Sequence, residues 1–282
     1  MTALQTYGMD VGFFSHTGAY PLETRCAMLA DLGYDATNLT LWSEPAWTDL
    51  RSLWQVADRH GLAVASIYLT IDLSLPLDHP ESRRALDAIS SAGETPTEIT
   101  LRYSGEEHAP SKPSGDAAAL AFLEQAINRA TAAGGSLRLY PHFSFWMERV
   151  DDVLRLLEQL PHHALRMTFP AFHVYALEGS GFGAALDRAR PVIAGVNTNG
   201  SRRLAGQYFP VTIEPVGDGD FDNFAFLGRL RSFGYSGSLG VQAYGVGGDA
   251  YTHFARSRAA LREIEARLDA HPEWAQLRPD TL

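Results

Sequence analysis

The sequence has few of the features that mark disulfide-bonded or membrane proteins. Its 282 residues include one cysteine, Cys26, which excludes an internal disulfide and favours a reducing compartment. No apolar run approaches the ~18 residues that a membrane span needs. The N-terminal residues also lack the basic segment and long apolar stretch of a signal peptide. We therefore expect a cytoplasmic protein with no membrane partner.

Positive charge is also scarce. The formal net charge is −10, and no run of basic residues is longer than the pairs Arg83-Arg84 and Arg202-Arg203. Because an acidic surface repels the phosphate backbone, we expect no nucleic-acid partner. Hydrophobic residues make up 45% of the chain, which is enough for a large core.

Short apolar runs alternate with longer helical patterns along the chain. The runs are rich in Val, Ile, Leu and Tyr, as parallel strands covered on both faces should be. They are Tyr7–Phe14, Ala36–Leu41, Ala63–Leu69, Glu98–Tyr103, Leu137–Pro141, Leu165–Phe169, Val192–Thr198 and Leu239–Ala243. The alternation predicts βαβ units and a parallel sheet. A (β/α)8 barrel and an open doubly wound sheet both fit it, although no GxGxxG turn follows the first strand.

The most specific motif lies near the end of the chain, where Phe209–Tyr244 reads FPVTIEPVGDGDFDNFAFLGRLRSFGYSGSLGVQAY. This segment resembles the xylose isomerase-like TIM-barrel family, the sugar phosphate isomerases and epimerases. Members carry a P-x-G-x-G-x-x-D loop, a helix and G-Y-x-G before the last strand. The matching residues are Pro215, Gly217, Gly219, Asp222, Gly234, Tyr235 and Gly237. Weaker helix-to-strand joints at LADLGY and RHGLAVA extend the resemblance over nearly the whole chain.

The resemblance favours the barrel over the open sheet. It implies an α/β fold with one (β/α)8 TIM-barrel domain over residues 1–268 and a C-terminal extension over residues 269–282. Trp274 is a candidate to pin that extension to the barrel or to a partner subunit. Because members often form dimers or tetramers, a homo-oligomer is compatible with the resemblance.

The resemblance also draws attention to four strand ends. In the family these hold a divalent metal through acidic residues and one histidine, whereas this chain has Tyr140, Pro170, Asn197 and Gln242 there. Hard cations prefer anionic oxygens, and zinc prefers imidazole, thiolate or carboxylate. The chain therefore resembles a divergent branch without the usual ligands. We expect no cofactor, and a divalent metal such as Mn or Mg is disfavoured.

Two of these strand ends keep a histidine at the family's substrate-contact position, His142 and His173. With Gln242 and Glu214 they are the catalytic candidates, as acids and bases or as oxyanion donors. Amides, phenols, imidazoles and aromatic faces suit a polyol. The substrate-binding candidates are Arg102, Tyr140, Asn197, Asn199, Tyr244, Trp42, Trp146 and His16. Ordinary packing is the alternative for each aromatic, and an ion pair with Glu106 or Glu107 is the alternative for Arg102.

Three functions fit these residues. The first is a sugar isomerase or epimerase that moves a proton next to a carbonyl of a small carbohydrate or keto-sugar without a metal. The second is a metal-free lyase, which needs the same groups. The third is a carbohydrate-binding barrel that has lost its chemistry. We favour the first, and fold alone does not decide among them.

Overall fold

The computed structural model describes residues 4–105 and 109–276, which contain a closed barrel of eight parallel strands. Each strand pairs with the next one along the chain, and the first closes the barrel against the last. The strands are β1 (Gln5–Gly8), β2 (Ala36–Thr40), β3 (Ala63–Asp72), β4 (Thr97–Arg102), β5 (Leu137–Leu139), β6 (Leu165–Pro170), β7 (Ile193–Thr198) and β8 (Ser238–Val241). The predicted TIM barrel is confirmed, and each predicted strand contains or overlaps one of these.

Ten α-helices cover the outside of the barrel in the described part of the chain. They are α1 (Leu22–Asp31), α2 (Glu44–Asp49), α3 (Leu53–Arg59), α4 (Pro80–Ser91), α5 (Asp116–Ala132), α6 (Val150–Gln159), α7 (Ala171–Glu178), α8 (Phe182–Ala189), α9 (Asn223–Ser232) and α10 (Ala250–Ala270). Outward-facing strand residues such as Leu39, Ile67 and Leu101 pack against these helices and form the main apolar core. None of the described helices has the length and apolar character of a transmembrane segment.

The inside of the barrel is polar, and its hydrogen bonds cross between strands that are not neighbours. The hydroxyl of Thr168 on β6 donates to Glu98 on β4 at 2.7 Å, and Arg138 on β5 donates to Ser238 on β8 at 3.3 Å. Burial raises the pKa of Glu98, and the positive charge of Arg138 opposes that shift. These side chains fill the barrel beneath its C-terminal mouth, so the mouth has a polar floor.

The glycine-rich motif before α9 has a structural basis. Gly219 has a φ of 88°, and a Cβ there would lie 2.1 Å from the carbonyl oxygen of Ser201, so only glycine fits. Three residues later, Asp222 caps α9 by accepting a hydrogen bond from the backbone N–H of Ala225 at 2.8 Å. The motif therefore builds the loop after β7 and starts the helix before β8.

Two segments differ from the predicted elements. The first strand ends at Gly8 rather than Phe14, because Asp10 turns the chain and accepts hydrogen bonds from the backbone and hydroxyl of Thr40. After β6, helix α7 begins directly at Ala171, where a loop was expected. Its sequence is apolar on every side and carries no amphipathic pattern, so it could not be recognised as a helix.

The predicted C-terminal extension lies partly outside the described residues, since residues 277–282 are not among them. Before that point, α10 ends at Ala270, and the ring of Trp274 stacks on His271 with centroids 3.7 Å apart. Ala275 packs closely on Gly228 of α9, where an added Cβ would lie 2.2 Å from it. The boundary at residue 268 stays a prediction.

Candidate active site

Two histidines meet at the C-terminal mouth of the barrel. His142 follows β5, His173 lies in the first turn of α7 after β6, and their ring centroids are 4.0 Å apart. Phe145 stacks on the other side of the His142 ring, also at 4.0 Å. The carboxyl ends of adjacent parallel strands meet at one edge, so residues that follow β5 and β6 lie close together at the mouth.

The backbone of Phe143 holds both rings. The carbonyl oxygen of Phe143 lies 2.8 Å from Nδ1 of His142, and the backbone N–H of Phe143 donates to Nδ1 of His173 at 3.2 Å. A carbonyl can only accept, so Nδ1 of His142 carries the proton and its Nε2 has a lone pair. Nδ1 of His173 must accept, so in the neutral ring its Nε2 carries the proton. The two neutral histidines therefore present opposite tautomers, one basic and one acidic at Nε2.

Burial keeps both histidines neutral at physiological pH. It lowers the pKa of His142 to about 4, against a smaller opposing effect of the Phe143 carbonyl. Burial also lowers the pKa of His173 well below its usual value, and His142 adds to this shift. A neutral pair of this kind can exchange protons with a substrate without first releasing one to water.

The donors beside the histidines are uncharged. Tyr140 is buried, with its ring edge-on to Tyr68 at 5.1 Å and to His173 at 5.6 Å. Burial raises the pKa of Tyr140 well above its usual value, and Tyr68 adds to the shift, so the hydroxyl keeps its proton. Tyr140 therefore presents a neutral O–H next to the pair.

Asn197 supplies a second neutral donor on β7. Its Oδ1 accepts a hydrogen bond from the Tyr7 hydroxyl at 2.6 Å. Its Nδ2 faces Tyr140, yet no atom of the described residues forms a well-aligned hydrogen bond with it. Gly240 on β8 leaves the room for this arrangement, since a Cβ there would lie 2.5 Å from both Asn197 Oδ1 and the Tyr7 ring.

Gln242, which follows β8, is the third neutral side chain at the mouth. Its Oε1 accepts the backbone N–H groups of Ala243 and Tyr244 at 3.0 and 3.2 Å. This leaves the Nε2 group as the part of the side chain that can donate to a ligand. The amide that stands at a metal-ligand position in this chain is thus fixed by its own turn.

The donor set does not fit a divalent cation. Tyr140 keeps its proton, Pro170 offers no side-chain ligand, and Asn197 and Gln242 offer neutral amides. Among residues 4–105 and 109–276, no group of three or more His, Cys, Asp or Glu side chains is arranged to hold a metal ion.

The remaining acidic and basic candidates are tied to other partners. Glu214 accepts from the Thr212 hydroxyl at 2.7 Å and lies 3.5 Å from Arg202, so it supports the loop after β7. That position does not favour the general-base role predicted for it. Arg102 lies 3.4 Å from Asp72 at the end of β3. The alternative partners, Glu106 and Glu107, lie outside the described residues.

Two substrate-binding candidates, Trp146 and Asn199, point away from the mouth, whereas His16 follows the first strand as expected. Trp146 is 2% exposed in the core, where its indole N–H donates to the carbonyl of Lys112 at 2.9 Å, so it cannot face a sugar. The side chain of Asn199 donates to the carbonyl of Gly200 and to Ser201 within its own loop. His16 is exposed at the tip of a small hairpin after β1.

Trp42 and Tyr244 lie at the rim of the mouth, and their predicted role in substrate binding stays a prediction. Their rings meet edge to face at 5.8 Å, and they are 47% and 54% exposed. Phe14 contacts the Trp42 ring at 5.6 Å. We call Phe14, Trp42 and Tyr244 the rim cluster.

Sequence reasoning missed two features of the mouth. The backbone C=O and N–H of Phe143 orient both histidines. Because any residue type can supply these backbone groups, the sequence gives no sign of this role. Tyr208 and Phe209, in the loop after β7, contact the Phe143 ring at 5.8 and 5.6 Å. Two exposed aromatics in a polar loop were the available signal for them.

Comparison with known proteins places this geometry in a family. The model of the xylose isomerase-like TIM barrel family matches residues 26–267, and the chain belongs to that family. The predicted family is therefore confirmed. A comparison with curated proteins gives no significant match.

Similar solved structures include sugar epimerases. An L-ribulose 3-epimerase is 17% identical with a TM-score of 0.73, covering 98% of this chain and 99% of its own. A D-allulose 3-epimerase from Methylomonas sp. is 18% identical with a TM-score of 0.70, covering 94% and 98%. A xylose isomerase-like protein from Mycobacterium smegmatis, in complex with magnesium, is 14% identical with a TM-score of 0.67, covering 93% and 95%. At these identities the likeness concerns the fold.

Proposed function

We propose that the protein is a sugar isomerase or epimerase that moves a proton next to the carbonyl of a small carbohydrate or keto-sugar without a metal. The observation that carries this proposal is the pair formed by half-buried His142 and buried His173, held in opposite tautomers by the backbone C=O and N–H of Phe143. The ketose 3-epimerases among the structural relatives support a sugar substrate.

The two Nε2 atoms have different roles in the proton transfer. The lone pair of His142 Nε2 takes the proton from the carbon next to the carbonyl and returns it to the neighbouring carbon, while the N–H of His173 Nε2 keeps its proton and donates a hydrogen bond to an enediolate oxygen. A free imidazolium is costly in this buried site, as the lowered pKa of His142 shows. Proton transfer from the substrate, however, creates the imidazolium beside an enediolate anion, and their attraction in a dry site offsets that cost.

The neutral donors hold the enediolate oxygens. The Tyr140 hydroxyl, the Asn197 Nδ2 group and the Gln242 Nε2 group stand at three of the four strand ends that hold metal ligands in the family. Fixed neutral donors in a buried site can stabilise a developing oxyanion, and removing one such donor typically costs ~100- to 1,000-fold in rate. The site would thus replace a cation with hydrogen bonds.

Proton exchange in deuterated water tests the proposal. Ketoses, aldoses and keto-sugars are incubated with the protein, and carbon-bound deuterium is followed by NMR. We expect exchange that falls at least ~100-fold in His142→Ala and in His173→Ala, the usual worth of a general base or of an oxyanion donor. His163→Ala removes an exposed histidine before β6, at the opposite end of the barrel, and is the matched control.

Other outcomes of the same experiment would support one of the two alternative functions. An unsaturated product instead of an isomer identifies a lyase that uses the same groups. Sugar binding without exchange across the panel identifies a carbohydrate-binding barrel. Exchange that persists at full rate in both histidine variants overturns the proposed mechanism.

A further inference from the structure

The rim cluster is an aromatic surface that the proposed proton transfer does not use. Trp42 and Tyr244 each expose about half of their surface, although both are large and apolar in their ring faces. Their orientation is fixed by the edge contacts with each other and with Phe14. A ligand that stacks on them therefore does not have to order them first.

The rim cluster lies across the mouth from the histidines. In the closed order of the barrel, β5 is opposite β1 and β6 is opposite β2. His142 and His173 follow β5 and β6, whereas Phe14 and Trp42 follow β1 and β2. Eight strands spaced about 4.8 Å apart and tilted by about 36° give a barrel roughly 15 Å across. One sugar ring held by the histidines does not reach that far.

The charged groups around the mouth argue against an anionic ligand. Arg102 is paired with Asp72, and Arg202 with Glu214. The guanidinium of Arg203 donates to the carbonyl of Tyr175 at 3.0 Å and lies over its ring. A phosphate would have to displace these partners, whereas hydroxyl groups suit the neutral donors that face the mouth.

We propose that the mouth takes an uncharged oligosaccharide or glycoside of at least two rings, with its remote ring stacked on Trp42 and Tyr244. The placement of the reacting ring at the histidines rests on the proposed function, but the remote-ring site does not. A stacked sugar ring buries its apolar C–H face on the aromatic surface while its hydroxyls stay in water.

Isothermal titration calorimetry, whose signal does not depend on Trp42, tests the remote-ring site. The probes are maltulose, a ketose of two rings, and fructose, a ketose of one ring. We expect maltulose to bind about tenfold more tightly than fructose, which corresponds to about 1.4 kcal/mol. In Trp42→Ala this preference should disappear, with the affinity for fructose unchanged.

Trp274→Ala is the matched control, because Trp274 is 59% exposed on the C-terminal segment, far in sequence from the rim. It should keep the tenfold preference. Equal affinities for the two ketoses in the unmodified protein overturn the inference, and so does a preference that survives in Trp42→Ala. Fructose 6-phosphate binding more tightly than fructose contradicts the uncharged ligand class.

The inference and the proposed function fail separately. If no sugar exchanges deuterium but the preference for two rings depends on Trp42, the remote-ring site stands and the catalytic proposal falls. If fructose exchanges and Trp42→Ala changes nothing, the catalytic proposal stands and the rim cluster serves another purpose. Self-association lost on Trp42→Ala, measured by analytical ultracentrifugation, would assign that purpose to a second copy of the chain.

Discussion

The two sides of the barrel mouth differ in burial and in chemistry. On the β5 and β6 side, half-buried His142 and buried His173 are fixed by backbone hydrogen bonds and have lowered pKa values. On the β1, β2 and β8 side, the rings of Trp42 and Tyr244 are about half exposed and meet each other, and Trp42 also meets Phe14. Burial tunes groups for proton transfer, whereas exposure leaves a face open to a ligand. The comparison suggests that reaction and recognition are divided across the mouth.

The largest effect is expected from removing a donor on the reacting side. Tyr140→Phe deletes the hydroxyl but keeps the ring that packs on Tyr68. We expect a fall of ~100-fold in kcat for exchange, with little change in KM, because the donor acts on the developing oxyanion. Tyr34→Phe removes a buried hydroxyl bonded to the Phe254 carbonyl outside the mouth, and it should leave kcat unchanged. Equal falls in both variants would show a general packing effect.

The burial of the histidines predicts a pH dependence of stability. The pKa of His142 is lowered from 6.5 to about 4 on folding, so the unfolded chain binds the proton first as the pH falls. The free energy of unfolding is therefore unaffected by His142 above pH 6.5. It decreases as the pH falls from 6.5 towards about 4, by at most about 3 kcal/mol. Urea unfolding at several pH values measures it.

The His142→Ala variant isolates this contribution from those of the carboxylates. Its stability should fall less steeply between pH 6.5 and 4 than that of the unmodified protein. Parallel pH profiles would mean that the ring is solvated in the folded state. The same lowered pKa predicts that kcat/KM for exchange stays flat from pH 8 to about 5, because the free base is already unprotonated there.

A smaller effect, on stability, is expected from a substitution of Gly240. This residue lies between the two sides of the mouth and makes room for Tyr7 and Asn197. Gly240→Ala places a methyl group 2.5 Å from both side chains, so it should destabilise the protein by ~1–3 kcal/mol and disturb the Asn197 donor. Gly183→Ala is the control, because open space surrounds that helical position and alanine favours a helix by ~1 kcal/mol. A melting temperature unchanged by Gly240→Ala would contradict the close contact.

The alternation of strands and helices and the family resemblance allowed the barrel to be predicted, and the barrel explains why His142 and His173 meet. Parallel strands place their carboxyl ends at one edge, so residues that follow β5 and β6 must be neighbours. Trp146 could not be placed in this way. It follows His142 by four residues, but the loop turns it beneath Gly115, where a Cβ would lie 2.6 Å from its ring. The direction of a loop side chain depends on contacts distant in sequence.

The tautomers of the two histidines were also beyond prediction. They depend on which backbone groups of Phe143 face each ring, and that orientation comes from a tight turn with Ser144 at a φ of 69°. A left-handed conformation is uncommon for serine, so the sequence did not indicate that Ser144 adopts it. The proposed roles of the two Nε2 atoms therefore required the three-dimensional structure.

The most direct test of metal-free catalysis by the histidine pair is the deuterium-exchange rate of protein stripped with a chelator and checked by elemental analysis. The predicted result is exchange at full rate with less than stoichiometric metal, unchanged when Mg²⁺ or Mn²⁺ is added back. Exchange that is absent after stripping and returns with one bound metal ion per chain would contradict it.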